Sequence, residues 1–277
     1  MKPLEFWLQP VAPRHAALLD ALPDDVASLA KIPSGLVIHQ HIAAAYGENI
    51  SDERAQEVHI RAADDVLACV LRHDGAPLTE PRPPSKRAVG NCRHFTLLLV
   101  AMLRHKKIPA RARCGFAAYF ERGKYLDHWA AEVWDGSRWA MVDAQLDDVQ
   151  RRLFRVPFDP LDVPRDEFPV AGDAWARCRA ADLDPDAFGI MDMRGWWFIA
   201  GNVVRDIAAL NNHVMLPWDM WGAMPQPGEE PDAAIFDKWA ALSLDPDLDE
   251  LRRAYASDAI GVPDTVFNAV RQRPERA

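Results

Sequence analysis

Three residues in the middle of this 277-residue chain have side chains that could together carry out acyl transfer. Cys92 opens an apolar run, and His128 and Asp143 follow it in that order. A cysteine nucleophile needs a base within hydrogen-bond reach, and an imidazole base needs a group that orients its second nitrogen. The sequence therefore predicts a Cys–His–Asp catalytic site if the fold brings these three side chains together.

The residues after Gly90 predict a buried helix that begins at or beside Cys92. Asn91 is a possible N-cap, and Pro109 prevents the helix from continuing. The apolar residues that recur at helical spacing are Phe95, Leu98, Leu99, Met102 and Leu103. Unpaired backbone N–H groups and the positive end of the helix dipole would favour the thiolate of Cys92. Taken alone, Cys92 fits a small buried core residue better than a nucleophile.

Three strand-like runs follow the helix, at residues 111–121, 127–134 and 138–143, with turn residues between them. They predict an antiparallel meander packed on the Cys92 helix, which is an α+β arrangement. If Trp134 pairs with Trp139, His128 faces Gln145 on the same side of the sheet as Asp143. A register shifted by one residue would separate the two side chains and destroy the triad. The cross-strand tryptophan pair favours the productive register.

Other residues near these runs compete for the same roles. Asp127, Asp147 and Asp148 are rival orienting groups, and His94 is a weak rival base because it would point away from Cys92 on a helix. A zinc site through Cys92, His94 and His128 fits no standard ligand spacing. Glu132 is expected to pair with an arginine such as Arg111 or Arg113.

Composition narrows the class of protein. The chain is 49% hydrophobic and 26% charged with a net charge of −9, which is typical of a globular protein and argues against a nucleic-acid partner. The four cysteines have no CxxC spacing, which argues against a zinc or disulfide scaffold. Residues 1–10 lack the apolar core of a signal peptide, and no apolar run is long enough to span a bilayer. We therefore expect a cytoplasmic protein without a membrane partner.

The chain is predicted to have three parts. Residues 1–50 form a helical extension whose short helices are broken by prolines such as Pro33. Residues 51–150 form the catalytic core and begin with one helix after Ser51, in which Val58 and Cys69 belong to an apolar stripe. Residues 151–277 form a helical and irregular extension packed on the core. Its predicted helices are 201–213, 232–242 and 247–257.

A proline-rich loop from Gly75 to Gly90 ends beside Cys92 and carries the basic residues Arg82, Lys86 and Arg87. These side chains could hold an anionic group of a substrate. They could as well be solvated surface charges.

The motifs in this region resemble the bacterial transglutaminase-like superfamily. They are Gly90-Asn-Cys-Arg-His-Phe, Ile108-Pro-Ala-Arg-Ala-Arg, Asp127-His-Trp-Ala-Ala-Glu-Val-Trp and Arg138-Trp-Ala-Met-Val-Asp. The resemblance covers roughly residues 90–148, with matching order and spacing of the Cys, His and Asp. Trp197-Phe-Ile-Ala-Gly-Asn and Leu216-Pro-Trp-Asp are also similar to tails of some bacterial members.

The resemblance implies a papain-like core in which Cys92 is the nucleophile, His128 the general base and acid, and Asp143 the orienting group. It implies a thioester acyl-enzyme formed from an amide or thioester and resolved by water or by an amine acceptor. The acyl substrate would be a small molecule, a peptide or a carrier-bound group, and the reaction would need no metal or organic cofactor. A non-catalytic binding module on the same fold is the alternative.

The resemblance also implies an oxyanion site. One donor is the backbone N–H of Cys92, which follows from the start of the helix as well. The candidates for a second donor are Asn91, Lys86 and Arg87. The family often has Ala-Trp after the histidine, whereas this chain has Trp129-Ala130, and Trp129 is a candidate at the edge of the substrate site.

Overall fold

The computed structural model describes residues 3–257 and 259–277, so Met1 and Lys2 of the segment inspected for a signal peptide lie outside the described residues. The α-helices within this range are α1 (Pro3–Phe6), α2 (Ala16–Asp20), α3 (Val26–Leu36), α4 (Asp52–Ala55), α5 (Ala63–His73), α6 (Cys92–His105), α7 (Asp148–Phe154), α8 (Ala171–Arg179), α9 (Trp196–Leu210), α10 (Ala233–Leu244) and α11 (Leu248–Tyr255). Among the described residues, no helix has both the length and the apolar character needed to cross a bilayer.

The strands are short except for two in the middle of the chain. They are β1 (Val37–His39), β2 (Ala88–Gly90), β3 (Ala110–Ala117), β4 (Tyr125–Trp134), β5 (Trp139–Val142), β6 (Phe188–Ile190), β7 (Met193–Arg194), β8 (Asp219–Met220), β9 (Thr265–Asn268) and β10 (Arg273–Arg276). Helices and strands are thus interspersed along the chain, which confirms the predicted α+β class.

The chain divides into two compact units that do not follow chain order. Unit 1 comprises residues 1–111 and 130–163, and unit 2 comprises residues 112–129 and 164–277. Strands β3 and β4 therefore contribute residues to both units. The division at residues 50 and 150 stays a prediction about segment organisation.

Helix α6 is the buried centre of unit 1. Every residue from Cys92 to Arg104 is buried, as predicted. Helices α2, α3 and α5 contact α6, as do the parallel strands β1 and β2. The predicted break at Pro33 is wrong, because Pro33 lies inside α3 and the helix continues to Leu36.

The single helix predicted after Ser51 is also wrong. Ser51 caps α4, but a 3₁₀ turn over Gln56–His59 follows, and α5 starts only at Ala63. The guanidinium of Arg93 on α6 donates to the backbone carbonyls of Ile60 and Arg61. These hydrogen bonds hold the residues between the 3₁₀ turn and α5 outside a helix. Val58 therefore lies on the 3₁₀ turn, whereas Cys69 is in the core as predicted.

The predicted register of β4 and β5 is confirmed within unit 1. The two strands are antiparallel, with Ala131 opposite Val142 and Trp134 opposite Trp139. The two indole rings lie 5.6 Å apart in an edge-to-face arrangement. Since side chains alternate along a strand, this pairing sets which residues of β4 share a face with those of β5.

Unit 2 contains the remaining strands and the C-terminal helices. In this unit β6 pairs in parallel with β4 at Tyr125 and Leu126, an addition to the predicted meander, and β8, β9 and β10 form a separate antiparallel sheet. Helices α8, α9 and α10 contact one another. The three helices predicted for this region are present, and the first begins five residues early, at Trp196.

Candidate active site

Cys92 occupies the first position of α6, as the sequence predicts. The chain just before Cys92 is tightly packed, because a Cβ on Gly90 would lie 2.8 Å from a methyl carbon of Val37 and 3.0 Å from Cβ of His94. Gly90 also accepts a backbone hydrogen bond from Gln40 over 2.9 Å. Strands β1 and β2 thus fix the chain just before the cysteine, and only 6% of the Cys92 surface is exposed.

His94 takes part in the N-terminal cap of α6 and is not placed to act as a general base. Its Nε2 lies 3.1 Å from the carbonyl of Ile60 and must donate to it, so Nδ1 is left as an acceptor for the backbone N–H of Asn91 at 3.2 Å. Burial, together with the neighbouring charge of Arg93, holds the pKa of His94 well below 6.5. His94 is therefore neutral at pH 7 and serves as part of the helix cap.

Asn91 is the N-cap of α6 and lies next to Cys92 in sequence. Its side chain is buried and accepts a hydrogen bond from the backbone N–H of His94 as one half of a capping box. Among the described residues, Nδ2 of Asn91 has no hydrogen-bond partner. Asn91 is accordingly the member of the predicted oxyanion set with a buried donor still to satisfy.

The basic residues of the loop before β2 have structural contacts within unit 1. Arg82 is buried and donates to the carbonyl groups of Pro77, Glu80, Asp74 and Ala76. Lys86 bonds the Asp74 carboxylate at 3.2 Å, and Arg87 donates to the carbonyl of Arg82 at 2.9 Å. These cations thus organise their own loop, which the sequence alone did not indicate.

His128 lies on β4 in unit 2 and is 1% exposed. Three aromatic rings contact the imidazole in edge-to-face arrangements. The distances between ring centroids are 5.9 Å for Tyr119, 4.9 Å for Phe120 and 5.9 Å for Phe168. Backbone bonds from Phe116 to Pro169 and from Ala118 to Glu167 hold the segment of Phe168 along β3. Sequence reasoning missed this aromatic enclosure, although Tyr119-Phe120 ends the aromatic strand run.

The neighbours of His128 on β4 point to the other face of the strand, because side chains alternate. Asp127, a rival orienting group, accepts a hydrogen bond from Nδ2 of Asn202 at 2.8 Å. Burial raises the pKa of Asp127, against the opposing charge of Arg205 and the bond from Asn202. Trp129 is fully buried, and its Nε1 has no partner among the described residues.

Asp143 follows β5 in unit 1 and is buried. Its backbone N–H donates to Pro160 over 2.8 Å, and its Oδ1 accepts from the backbone N–H of Gln145 at 2.9 Å, a local turn that fixes the carboxylate. The rival Asp147 instead caps α7 and accepts from the hydroxyl of Tyr46 at 2.8 Å. Asp148 is the first residue of that helix.

Glu132 pairs with Arg111, one of the two arginines predicted for it, through a 2.6 Å contact. The guanidinium of Arg111 also lies over the rings of Trp7 and Trp139, at 4.6 and 4.2 Å from their centroids.

The predicted triad takes Cys92 and Asp143 from unit 1 and His128 from unit 2, and its assembly remains a prediction.

Comparison with known families addresses the region that carries these residues. Residues 53–144 match the model of the transglutaminase-like superfamily. This segment is similar to that superfamily. The transglutaminase-like segment includes Cys92, His128 and Asp143, so the resemblance expected from the sequence motifs is confirmed. The similarity supports a cysteine-based catalytic function in general terms.

Comparisons of the whole chain add little. No curated protein matches the chain. A solved structure described as a candidate cysteine protease from Cytophaga hutchinsonii aligns with 16% sequence identity and a TM-score of 0.35. The alignment covers 61% of this chain and 46% of that one, so the chain spans less than half of its length. A TM-score this low supports no conclusion about function.

Proposed function

We propose that this chain is a cysteine-nucleophile acyl-transfer enzyme acting on an amide or thioester. The observation that carries the proposal is the position of Cys92 at the first residue of a buried α-helix inside a transglutaminase-like segment. Free backbone N–H groups and the helix dipole favour the thiolate at such a position. His128 and Asp143 occupy the positions that the family resemblance assigns to the base and to the orienting group.

The proposed reaction proceeds in two steps that conserve atoms and protons. His128 takes the proton of the Cys92 thiol, the sulfur attacks the carbonyl carbon, and the imidazolium gives that proton to the departing amine or thiol. A thioester remains on Cys92. In the second step His128 takes a proton from water or from an amine, and the resulting nucleophile attacks the thioester. An acid or an amide is released, and the imidazolium returns the proton to the sulfur of Cys92.

The pairing of β4 with β5 supports the roles of His128 and Asp143. Glu132 faces Met141 across the ladder, and His128 precedes Glu132 by four residues on the same strand. Alternation then gives His128 and Glu132 the same face. Asp143 follows Met141 by two residues, which corresponds to that face if the strand geometry continues one residue beyond β5.

For the oxyanion we propose the backbone N–H of Cys92 and, among the predicted second donors, the side chain of Asn91. Asn91 adjoins the sulfur in sequence and has a buried Nδ2 without a partner among the described residues. Lys86 and Arg87 are engaged in their loop. A donor that points at the developing negative charge stabilises the transition state more than the ground state.

Within the described residues the four cysteines form no disulfide, which favours a reducing compartment such as the cytoplasm. They also supply a matched test of the proposal. Cys92 and Cys178 are 6% and 5% exposed, but Cys92 begins a helix whereas Cys178 lies in the last turn of α8. Burial raises the pKa of the Cys178 thiol to about 12.

The experiment is alkylation by iodoacetamide at about pH 6, with each cysteine quantified by mass spectrometry. We expect Cys92 to react at least about tenfold faster than Cys178, and His128→Ala to remove most of that difference. With an activated p-nitrophenyl ester, the wild type should release one equivalent of nitrophenolate in a burst, and Cys92→Ala none. Equal labelling of Cys92 and Cys178 without a burst would favour the non-catalytic binding module.

The fate of the acyl group is read in the same assay. Addition of hydroxylamine to the acylated enzyme should yield a hydroxamate if an amine can resolve the thioester. Release of only the free acid would assign the chain to the hydrolases.

A further inference from the structure

Unit 1 contains a second cluster of reactive side chains, which shares no residue with the proposed triad. Glu57, Cys69 and His73 each offer one ligand atom, and these atoms all lie within 4.8 Å of one another. Cys69 and His73 are four residues apart on α5 and therefore share one face of the helix. Glu57 comes from the 3₁₀ turn that precedes α5.

The three side chains already interact. Nε2 of His73 lies 2.6 Å from Oε1 of Glu57, and the sulfur of Cys69 lies within 4.8 Å of the ligand atoms of both residues. Cys69 is fully buried, while the side chains of Glu57 and His73 are 16% and 24% exposed. The cluster is thus closed on the side of the sulfur and open to solvent on the side of the imidazole.

The second carboxylate oxygen of Glu57 is fixed by the backbone. Oε2 accepts a hydrogen bond from the N–H of Val89 in β2 at 2.7 Å. Such a bond leaves Oε1 facing the imidazole of His73. Metal-binding carboxylates commonly have an outer hydrogen bond of this kind, which orients the ligand and lowers the cost of ordering it.

We propose that Glu57, Cys69 and His73 bind one divalent transition-metal ion of the Zn²⁺ type, with water in the fourth position. A thiolate, an imidazole and a carboxylate are the ligand types of tetrahedral zinc, whereas Mg²⁺ and Ca²⁺ require more oxygen ligands. Binding releases the thiol proton of Cys69 to solvent and replaces the hydrogen bond between His73 and Glu57 by metal–ligand bonds. The charges of the thiolate and the carboxylate then balance that of the ion.

The geometry requires only side-chain movement. Ligand atoms around tetrahedral zinc are roughly 3–4 Å apart, given bond lengths of about 2.0–2.3 Å. The pair Glu57–His73 must open from 2.6 Å, and the longest separation in the cluster must close from at most 4.8 Å. Rotation of the partly exposed Glu57 and His73 side chains can supply both changes. The Cys-x₃-His spacing on one helix face is the sequence pattern that indicates the site, and it is not visible from cysteine spacing alone.

The proposal is tested by titrating the full chain carrying Cys92→Ser with Co²⁺, because that variant removes the other thiol at a helix start. We expect one equivalent of Co²⁺ to bind with a thiolate-to-metal charge-transfer band, and Zn²⁺ but not Mg²⁺ to displace it. Adding Cys69→Ser should abolish the band, and His73→Gln should weaken binding at least about tenfold. His73→Gln alters a partly exposed side chain and therefore tests the site even if Cys69→Ser disturbs the core.

Two variants serve as matched controls. Cys178→Ser removes another buried free thiol, and His105→Gln removes a histidine that pairs with Asp20 at the surface, so both should bind Co²⁺ as the parent does. A titration without the charge-transfer band would overturn the proposal and leave the cluster as a set of hydrogen bonds that anchors β2. Persistence of the band in Cys69→Ser, or unchanged affinity in His73→Gln, would likewise reject it. None of these results depends on catalysis.

Discussion

Asn202 donates a hydrogen bond from Nδ2 to Oδ1 of Asp127 over 2.8 Å, and both residues are buried. Arg205 in turn donates to Oδ1 of Asn202 over 3.0 Å. Asp127 directly precedes His128 on β4, so helix α9 holds the strand next to the residue that we propose as the base. A segment from the C-terminal part of the chain therefore anchors strand β4 within unit 2.

The first prediction concerns the pH dependence that Asp127 imposes on stability. Burial raises the pKa of Asp127 above 3.8 in the native state. At a pH between 3.8 and that raised pKa, the native state keeps a proton that the unfolded chain has lost. The free energy of unfolding must fall with pH in that interval. Asp127→Asn should remove this loss, as measured by urea unfolding between about pH 4 and pH 7.

Asn202→Ala provides the complementary variant for Asp127. The bond from Asn202 lowers the pKa of Asp127, so its removal should widen the interval and enlarge the loss of stability on raising the pH. Parallel pH profiles for the wild type, Asp127→Asn and Asn202→Ala would contradict the account.

The second prediction concerns His94, whose pH dependence has the opposite sign. Its pKa is held well below 6.5 by burial, so below that value the unfolded chain binds a proton that the native state does not. Stability is therefore lost as the pH falls, by at most about 1.4 kcal/mol per pH unit. His94→Gln should show a smaller loss between about pH 7 and pH 5 in chemical unfolding, whatever its stability at pH 7. A loss as large as that of the wild type would exclude His94 as its source.

The third prediction concerns the ion pair in the core of unit 2. Arg113 contacts Asp206 through two nitrogens, at 3.0 and 2.8 Å, and Asp206 also accepts from the backbone N–H of Cys114 and the hydroxyl of Ser243. Arg113→Met leaves a buried carboxylate without its cation and should cost about 3–5 kcal/mol in urea unfolding.

The matched control for Arg113→Met is Arg138→Met. Arg138 forms a 2.7 Å ion pair with Asp162, but both side chains are more than half exposed. Water screens this pair, so its removal should leave the free energy of unfolding almost unchanged. Similar losses in the two variants would show that burial of the pair is not what matters.

The fourth prediction concerns the close approach of α8 to α10. A Cβ on Gly172 would lie 2.5 Å from the carbonyl oxygen of Ala240 and 2.6 Å from Oγ of Ser243. Gly172→Ala should therefore destabilise the chain by about 1–3 kcal/mol, although alanine is the better helix former. Gly75→Ala is the control, since its Cβ would have only the carbonyl oxygen of Leu71 at 4.0 Å. A thermal midpoint for Gly172→Ala at or above that of the wild type would contradict this packing.

Local regularities made several features predictable. The helical spacing of apolar residues specified α6, and the Asp135–Ser137 turn with its flanking tryptophans specified the β4–β5 register. Helix breaks were less predictable. Pro33 continues α3, whereas no proline marks the break before Ala63, which follows instead from the contacts of Arg93 with two carbonyl groups.

The sequence by itself determined that Cys92 begins a buried helix and that β5 pairs with β4 in one register, because both depend on residues close together in the chain. Only the tertiary structure decided that Arg93 donates to the carbonyls of Ile60 and Arg61, that Phe168 packs against His128, and that Glu57 joins Cys69 and His73. Those contacts depend on how side chains from separate segments meet. Periodicity and turn chemistry carry no information about such meetings, since many distant partners could satisfy the same buried polar group.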